Sequence, residues 1–157
     1  MPDHKPPATS ADEKSTLLGF LNYLRDAIAA KATGVPEPQV RTPGVPSGTS
    51  LLGLISHLTS VERFHFLGAD VRDWKRTFQP AADDTADGVL AGYRETIAEV
   101  NAVIEAYDDL SRPAPQPAGR RHPPSMRWLL THMIEETGRH AGHADILREQ
   151  IDGATGR

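Results

Sequence analysis

The 157 residues contain no cysteine, which excludes a disulfide framework, a thiolate zinc finger, an iron–sulfur cluster and a cysteine nucleophile. Any thiol chemistry would need a borrowed thiol. No apolar run approaches the roughly 20 residues needed to cross a bilayer. Basic residues are the minority, 17 Lys and Arg against 21 Asp and Glu, for a net charge of −4. No dominant positive field is left to hold phosphates, so nucleic acid is a poor partner. The opening stretch, Met1 to Ser10, is polar and proline-rich, without the basic start and apolar core of a secretory signal. A cytoplasmic setting is expected. Internal repeats and period-two alternation are missing as well, which leaves nothing to build a sheet.

What remains is helical. Four amphipathic stretches are separated by links that carry most of the 13 prolines. In the first, about Ala11 to Lys31, Leu17, Leu21, Leu24 and Ile28 recur at helical spacing, with Ser10 as the expected N-cap and Glu13 three residues on. The second starts near Thr49 or Ser50 and runs to Leu67, burying Leu51, Leu54, Ile55, Leu58 and Val61. His57 lies three residues after Leu54 and four before Val61, so it projects from the apolar stripe. The third, about Ala86 to Tyr107, uses Val89, Tyr93, Ile97, Val100, Val103 and Ile104. The fourth runs from a Ser125 cap to Ile151. Between the second and third, Asp70 to Thr85 holds Trp74 and Phe78 and is long enough to cross a bundle from end to end. The link Asp108 to Pro124 brings Arg112, Arg120, Arg121 and His122 to what would be a basic rim at one end.

The anomaly is in the fourth helix. Its stripe reads Leu129, Met133, Glu136, His140, Ala144, Leu147, Ile151, with steps of three or four, so two polar residues occupy the middle of the seam. An unpaired buried carboxylate costs several kcal/mol in a domain whose whole stability is about 5–15 kcal/mol. Glu136 therefore needs a strong partner, and a cation is the obvious one. Glu136 and His140 sit on adjacent turns of one face and can share an ion at about 2.0–2.2 Å. His57 offers a third ligand at similar depth. Three N/O donors leave coordination positions open, as in catalytic zinc sites, and nickel, iron or manganese would also fit. A buried Glu–His hydrogen bond, or a pair with Arg139 or Arg148 of a neighbouring subunit, is the alternative to metal. His132 continues the row one turn earlier and could replace His57 or line the pocket, and His143 flanks the site or joins it. Asp145 and Arg148 are spaced for an ordinary surface pair.

The run from Val45 to Leu58 (VPSGTSLLGLISHL), the following Val61, Glu62 and Arg63, and the stretch from Glu136 to Glu149 (ETGRHAGHADILRE) resemble the DinB/YfiT-like metalloprotein superfamily. The resemblance is to the branch of the mini-circle proteins and the mycothiol-dependent maleylpyruvate isomerase, and it extends from the first helix to Ile151. It implies an all-α four-helix bundle with a long crossover after the second helix, often a homodimer, holding a divalent metal between the second and fourth helices. Most members use three histidines. The mycothiol-dependent branch is similar to this sequence in having Glu at the second position, which implies His57, Glu136 and His140 as ligands; the residues themselves, not the resemblance, suggest His132, Arg139 and His143 as their surroundings or substrate contacts.

The expected architecture is a flexible stretch 1–10 followed by one bundle domain, 11–157. The function implied by the resemblance is S-transfer or isomerisation of a small electrophile through a metal-bound thiolate, the thiol being a small molecule such as mycothiol. Arg120, Arg121 and Arg139 are candidates to hold an anionic substrate. Two other readings stand beside it: a hydrolase using metal-bound water, and a non-catalytic dimeric helical stress or binding protein.

Overall fold

The computed structural model describes residues 4–8, 12–115 and 122–156. Among the described residues there are four α-helices, α1 (Glu13–Ala32), α2 (Leu51–Leu67), α3 (Ala86–Glu105) and α4 (Met126–Asp152), with a 3₁₀ turn at Lys75–Phe78 in the crossover from α2 to α3. Among the described residues there is no strand, only an isolated bridge between Pro113 and Ser125. Among the described residues no helix is long and apolar enough to cross a membrane.

Each helix begins where a short polar side chain can take over an orphan backbone N–H. Ser50 accepts from Gly53, Thr85 from Gly88 and Ser125 from Trp128. The first helix departs from expectation: Asp12 caps it, accepting from the Ser15 amide at 2.9 Å and the Ser15 hydroxyl at 2.7 Å. A carboxylate suits the positive end of the helix dipole better than a hydroxyl. Ser10 lies outside the described residues. Gly68 and Gly153 close α2 and α4 with positive φ, the left-handed turn that favours glycine.

Helix α1 packs chiefly on α4, and α2 on α3. Their apolar faces form two clusters. One gathers Ile28, Leu51, Leu54, Leu58, Leu90 and Leu147. The other holds Leu21, Val61, Val100, Ile104, Met126 and Met133. The buried face of α1 is turned from the expected one, with Leu18 and Arg25 inside and Leu24 lying over Gly138 at the contact with α4.

Arg25 is the larger surprise. It and Glu62 are both fully buried and form a two-pronged pair, Nε to Oε1 at 2.7 Å and Nη2 to Oε2 at 2.6 Å. Its remaining prong, Nη1, donates to the side-chain oxygens of Asn22 and Asn101, each at 2.8 Å. The desolvation of both charges is thus met by a nearly complete set of charge-assisted hydrogen bonds. Close by, the buried Tyr93 hydroxyl has no hydrogen-bond partner among the described residues. Burial, then the negative charge of Glu62, pushes its ionisation far upward.

At the other end of α1, buried Lys31 pairs with Asp145 at 2.8 Å. Arg148 pairs with Asp152 and donates to the Lys31 and Thr33 carbonyls. The expected Asp145–Arg148 surface pair is therefore replaced. Each partner finds a better one where α1 ends against α4.

Candidate metal centre

The centre is assembled from two helices and the crossover. Seven residues after the Ser50 cap, α2 presents His57, which is 6% exposed. Helix α4 presents Glu136 and His140, one turn apart. One donor atom from each of the three lies within 4.8 Å of the other two. Glu136 is not in the middle of the seam, as its spacing implied. The buried face of α4 runs through Leu130, Thr137 and Ala141 as well, which turns Glu136 to the edge of the stripe with its side chain 20% exposed.

The 3₁₀ turn supplies what helical periodicity does not. Phe78 stacks on the His57 ring, centroids 3.8 Å apart and planes 12° from parallel. The Thr77 hydroxyl donates to the Trp74 carbonyl at 2.6 Å, so its remaining capacity toward His57 Nδ1, 2.7 Å away, is as an acceptor. Nδ1 therefore carries the imidazole proton and Nε2 has a bare lone pair. That lone pair faces Glu136 Oε1 at 3.4 Å, and His140 Nε2 faces the same oxygen at 3.2 Å. A lone pair and a carboxylate oxygen at this distance leave room for a cation between them. Burial, then the neighbouring His140, lowers the His57 pKa from the usual imidazole value despite the pull of Glu136. Burial also lowers that of His140. A proton is thus a poor choice at neutral pH. Burial tends to raise the Glu136 pKa, but His140 and His57 together outweigh it and hold the carboxyl below its ordinary range. Two neutral imidazoles and an ionised carboxylate fit a divalent cation.

Gly53 makes the docking of the crossover feasible. A Cβ there would lie 2.5 Å from the Phe78 carbonyl oxygen, so a side chain one turn before His57 would push the 3₁₀ turn off the helix.

Of the other residues singled out by sequence, His143 contacts the trio. His143 Nδ1 lies 3.4 Å from His140 Nδ1, against the back of a ring whose Nε2 faces the carboxylate. The ring of His132 stacks on Trp128 at 5.1 Å, with its Nδ1 3.7 Å from Glu135, and it does not join the cluster. Arg139 is exposed and paired with Glu135. Arg112 and His122 are exposed, while Arg120 and Arg121 lie outside the described residues. Thr77 and Gly53 were missed. Their roles depend on a crossover folding back on α2, and no local spacing announces that.

A family model described as mycothiol S-transferase matches residues 16–153, which take in all but the first residues of α1, the other three helices and the three donors. The chain belongs to the mycothiol S-transferase family. A solved structure titled as YfiT from Bacillus subtilis, a probable metal-dependent hydrolase with an unusual four-helix bundle topology, is similar to it in fold. The TM-score is 0.72 over 97% of this chain and 95% of that one, at 15% identity. No curated protein matches the chain. Within this mycothiol S-transferase family member, the His–Glu–His cluster joins the second helix to the fourth at the level where the crossover returns to cover them.

Proposed function

We propose that the protein is a metal-dependent thiol S-transferase in which His57, Glu136 and His140 hold a divalent ion, zinc being well suited to the donors, and a small-molecule thiol such as mycothiol is the cosubstrate. The observation that carries this reading is the convergence of three donor atoms, two of them imidazole nitrogens turned on one carboxylate oxygen, in a chain of this family. A divalent ion held there supplies positive charge that lowers the pKa of a thiol presented to it.

The chain's own residues do the rest. Thr77 fixes the tautomer of His57, and Phe78 covers one face of its ring and excludes water from it. Glu136, ionised and half-buried, keeps one side of the centre negative and open to solvent. His143 backs His140. Because the chain has no thiol of its own, the sulfur must arrive with the cosubstrate, and its proton leaves to solvent. A cytoplasmic homodimer belongs to the same reading.

Metal analysis of untagged protein, combined with calorimetric titration of mycothiol, tests it. Metal in the wild type, and thiol binding that disappears on metal removal and in Glu136→Ala, is the expected result. Metal-free wild type of undiminished stability, or hydrolysis without thiol, would replace it.

A further inference from the structure

Helix α4 packs on α1 and α2 and turns its opposite face outward. The two most exposed large apolar side chains among the described residues both stand on that face, Trp128 at 54% and Ile146 at 57%. They are eighteen residues apart, five full turns, so they project in the same direction about 27 Å from each other. Isolated exposed apolar residues need no explanation. The residues between these two give one.

Thr137, buried on the core side, is their midpoint, and the outward face is self-complementary about it. Glu135 and Arg139, both exposed, stand two residues to either side of Thr137, and His132 and Gly142 stand five. A second copy laid antiparallel on this face, with a two-fold axis at the level of Thr137, therefore sets Glu135 against the partner's Arg139, His132 against the partner's Gly142 and Trp128 against the partner's Ile146. Such a contact is isologous and closes at two copies. Gly142 is exposed in the interior of α4, and a Cβ there would meet nothing within 4 Å among the described residues. The isolated chain thus gains nothing from a residue that weakens a helix relative to alanine. A ring approaching from a second helix does.

A cavity beside Ile146 offers the tryptophan a seat. It measures about 300 Å³, room for one indole, and is lined by Val45, Ser47, Thr49, His143, Ile146 and Leu147. Trp128 stacks on His132, and at about 100° per residue His132 lies on the same flank of the Trp128–Ile146 line as His143 and Leu147. The two-fold axis keeps that flank on the same side in both copies, so the indole of each faces the cavity of the other.

We infer that the outward face of α4 is the interface of a homodimer in which Trp128 of each copy fills the cavity beside Val45 and Ile146 of the other. This rests on the homodimer of the proposed reading and not on its metal or thiol. The partner's Trp128 rests against His143, whose Nδ1 lies 3.4 Å from His140 Nδ1, so association buttresses the ring behind the metal centre.

Sedimentation equilibrium of the full chain tests this by exchanging charges. Glu135→Arg sets two cations against each other across the axis and Arg139→Glu sets two anions, so each variant alone should associate at least about tenfold more weakly than the wild type. Mixed in equal amounts, the two recover both opposite-charge contacts and should form a heterodimer of near wild-type strength, which a misfolded variant could not supply. Trp128→Ala should weaken association at least about thirtyfold, as loss of a buried interface tryptophan does. Weakened single variants that fail to rescue each other would overturn this pairing. Dimers of unchanged strength in all three variants would move the interface to another face and leave the homodimer standing, whereas a wild type that stays monomeric at every concentration would overturn both.

Discussion

The Nδ1 atom of His57 lies 2.7 Å from the hydroxyl of Thr77, twenty residues further along the chain and on a separate element. Since that hydroxyl donates to the Trp74 carbonyl, this contact decides which imidazole nitrogen is left to face Glu136.

Thr77→Val keeps the shape of the side chain and deletes the acceptor. The His57 N–H is then left unpaired in a half-buried site, and the ring is free to turn or change tautomer. Partners of this kind set metal affinity by about 10–100-fold, and a loss of that size is expected in competition titrations with a chelator. Thr77→Ser, which retains the hydroxyl, should recover most of it. Equal affinity in all three proteins would remove Thr77 from any role at the centre.

Gly53→Ala acts on the same contact from the other side. The new methyl would occupy space 2.5 Å from the Phe78 carbonyl oxygen, a backbone atom that moves only if the whole 3₁₀ turn does. Alanine is otherwise the better helix former, by about 0.8–1.0 kcal/mol. The expected outcome is a weaker metal site without a matching gain in thermal stability. A stabilised protein with unchanged metal affinity would show that the crossover gives way freely.

The helices were legible in the sequence because their signals are local: apolar spacing, capping hydroxyls at Ser50 and Ser125, and prolines in the links. Glu136 and His140 were legible for the same reason, being one turn apart on one helix. Their depth was not. A period of 3.6 residues gives a stripe but not its centre, and Leu130, Thr137 and Ala141 turn the buried face of α4 so that Glu136 falls at its edge. Arg25 and Glu62 were invisible as core residues, because each is ordinary on a helix until its partner on the neighbouring helix is known. The Thr77 and Phe78 contacts depend on the return of a crossover whose own sequence sets no period.

The Arg25–Glu62 pair gives a stability test separate from the metal. Arg25→Met alone leaves a buried carboxylate without its cation, and Glu62→Leu alone strands a buried guanidinium. Each is expected to cost about 3–5 kcal/mol in denaturant unfolding, while the double replacement should recover much of the loss. Tyr93→Phe removes a buried hydroxyl that lacks a hydrogen bond and should be neutral or mildly stabilising. If both single variants of the ion pair lost under 1 kcal/mol, water would have to reach this layer.

The pH dependence of the metal-free protein follows from the direction of three shifts. His57 and His140 both have pKa values lowered below 6.5 in the folded chain, first by burial. As pH falls through 6.5, the unfolded chain takes up protons on these imidazoles before the folded chain does, so the unfolded state gains and stability declines. The decline continues until the folded imidazoles protonate in turn. Glu136, held below 4.5 by its two histidines against the opposing effect of burial, adds a second loss of the same sign in the window under 4.5. Added zinc should oppose the first decline, because protons and metal compete for the same lone pairs. His57→Asn and His140→Asn should each flatten the loss below pH 6.5 in urea unfolding of the metal-free protein. A wild-type profile that rises toward acid would contradict the assignment of these two imidazoles as the buried, neutral pair.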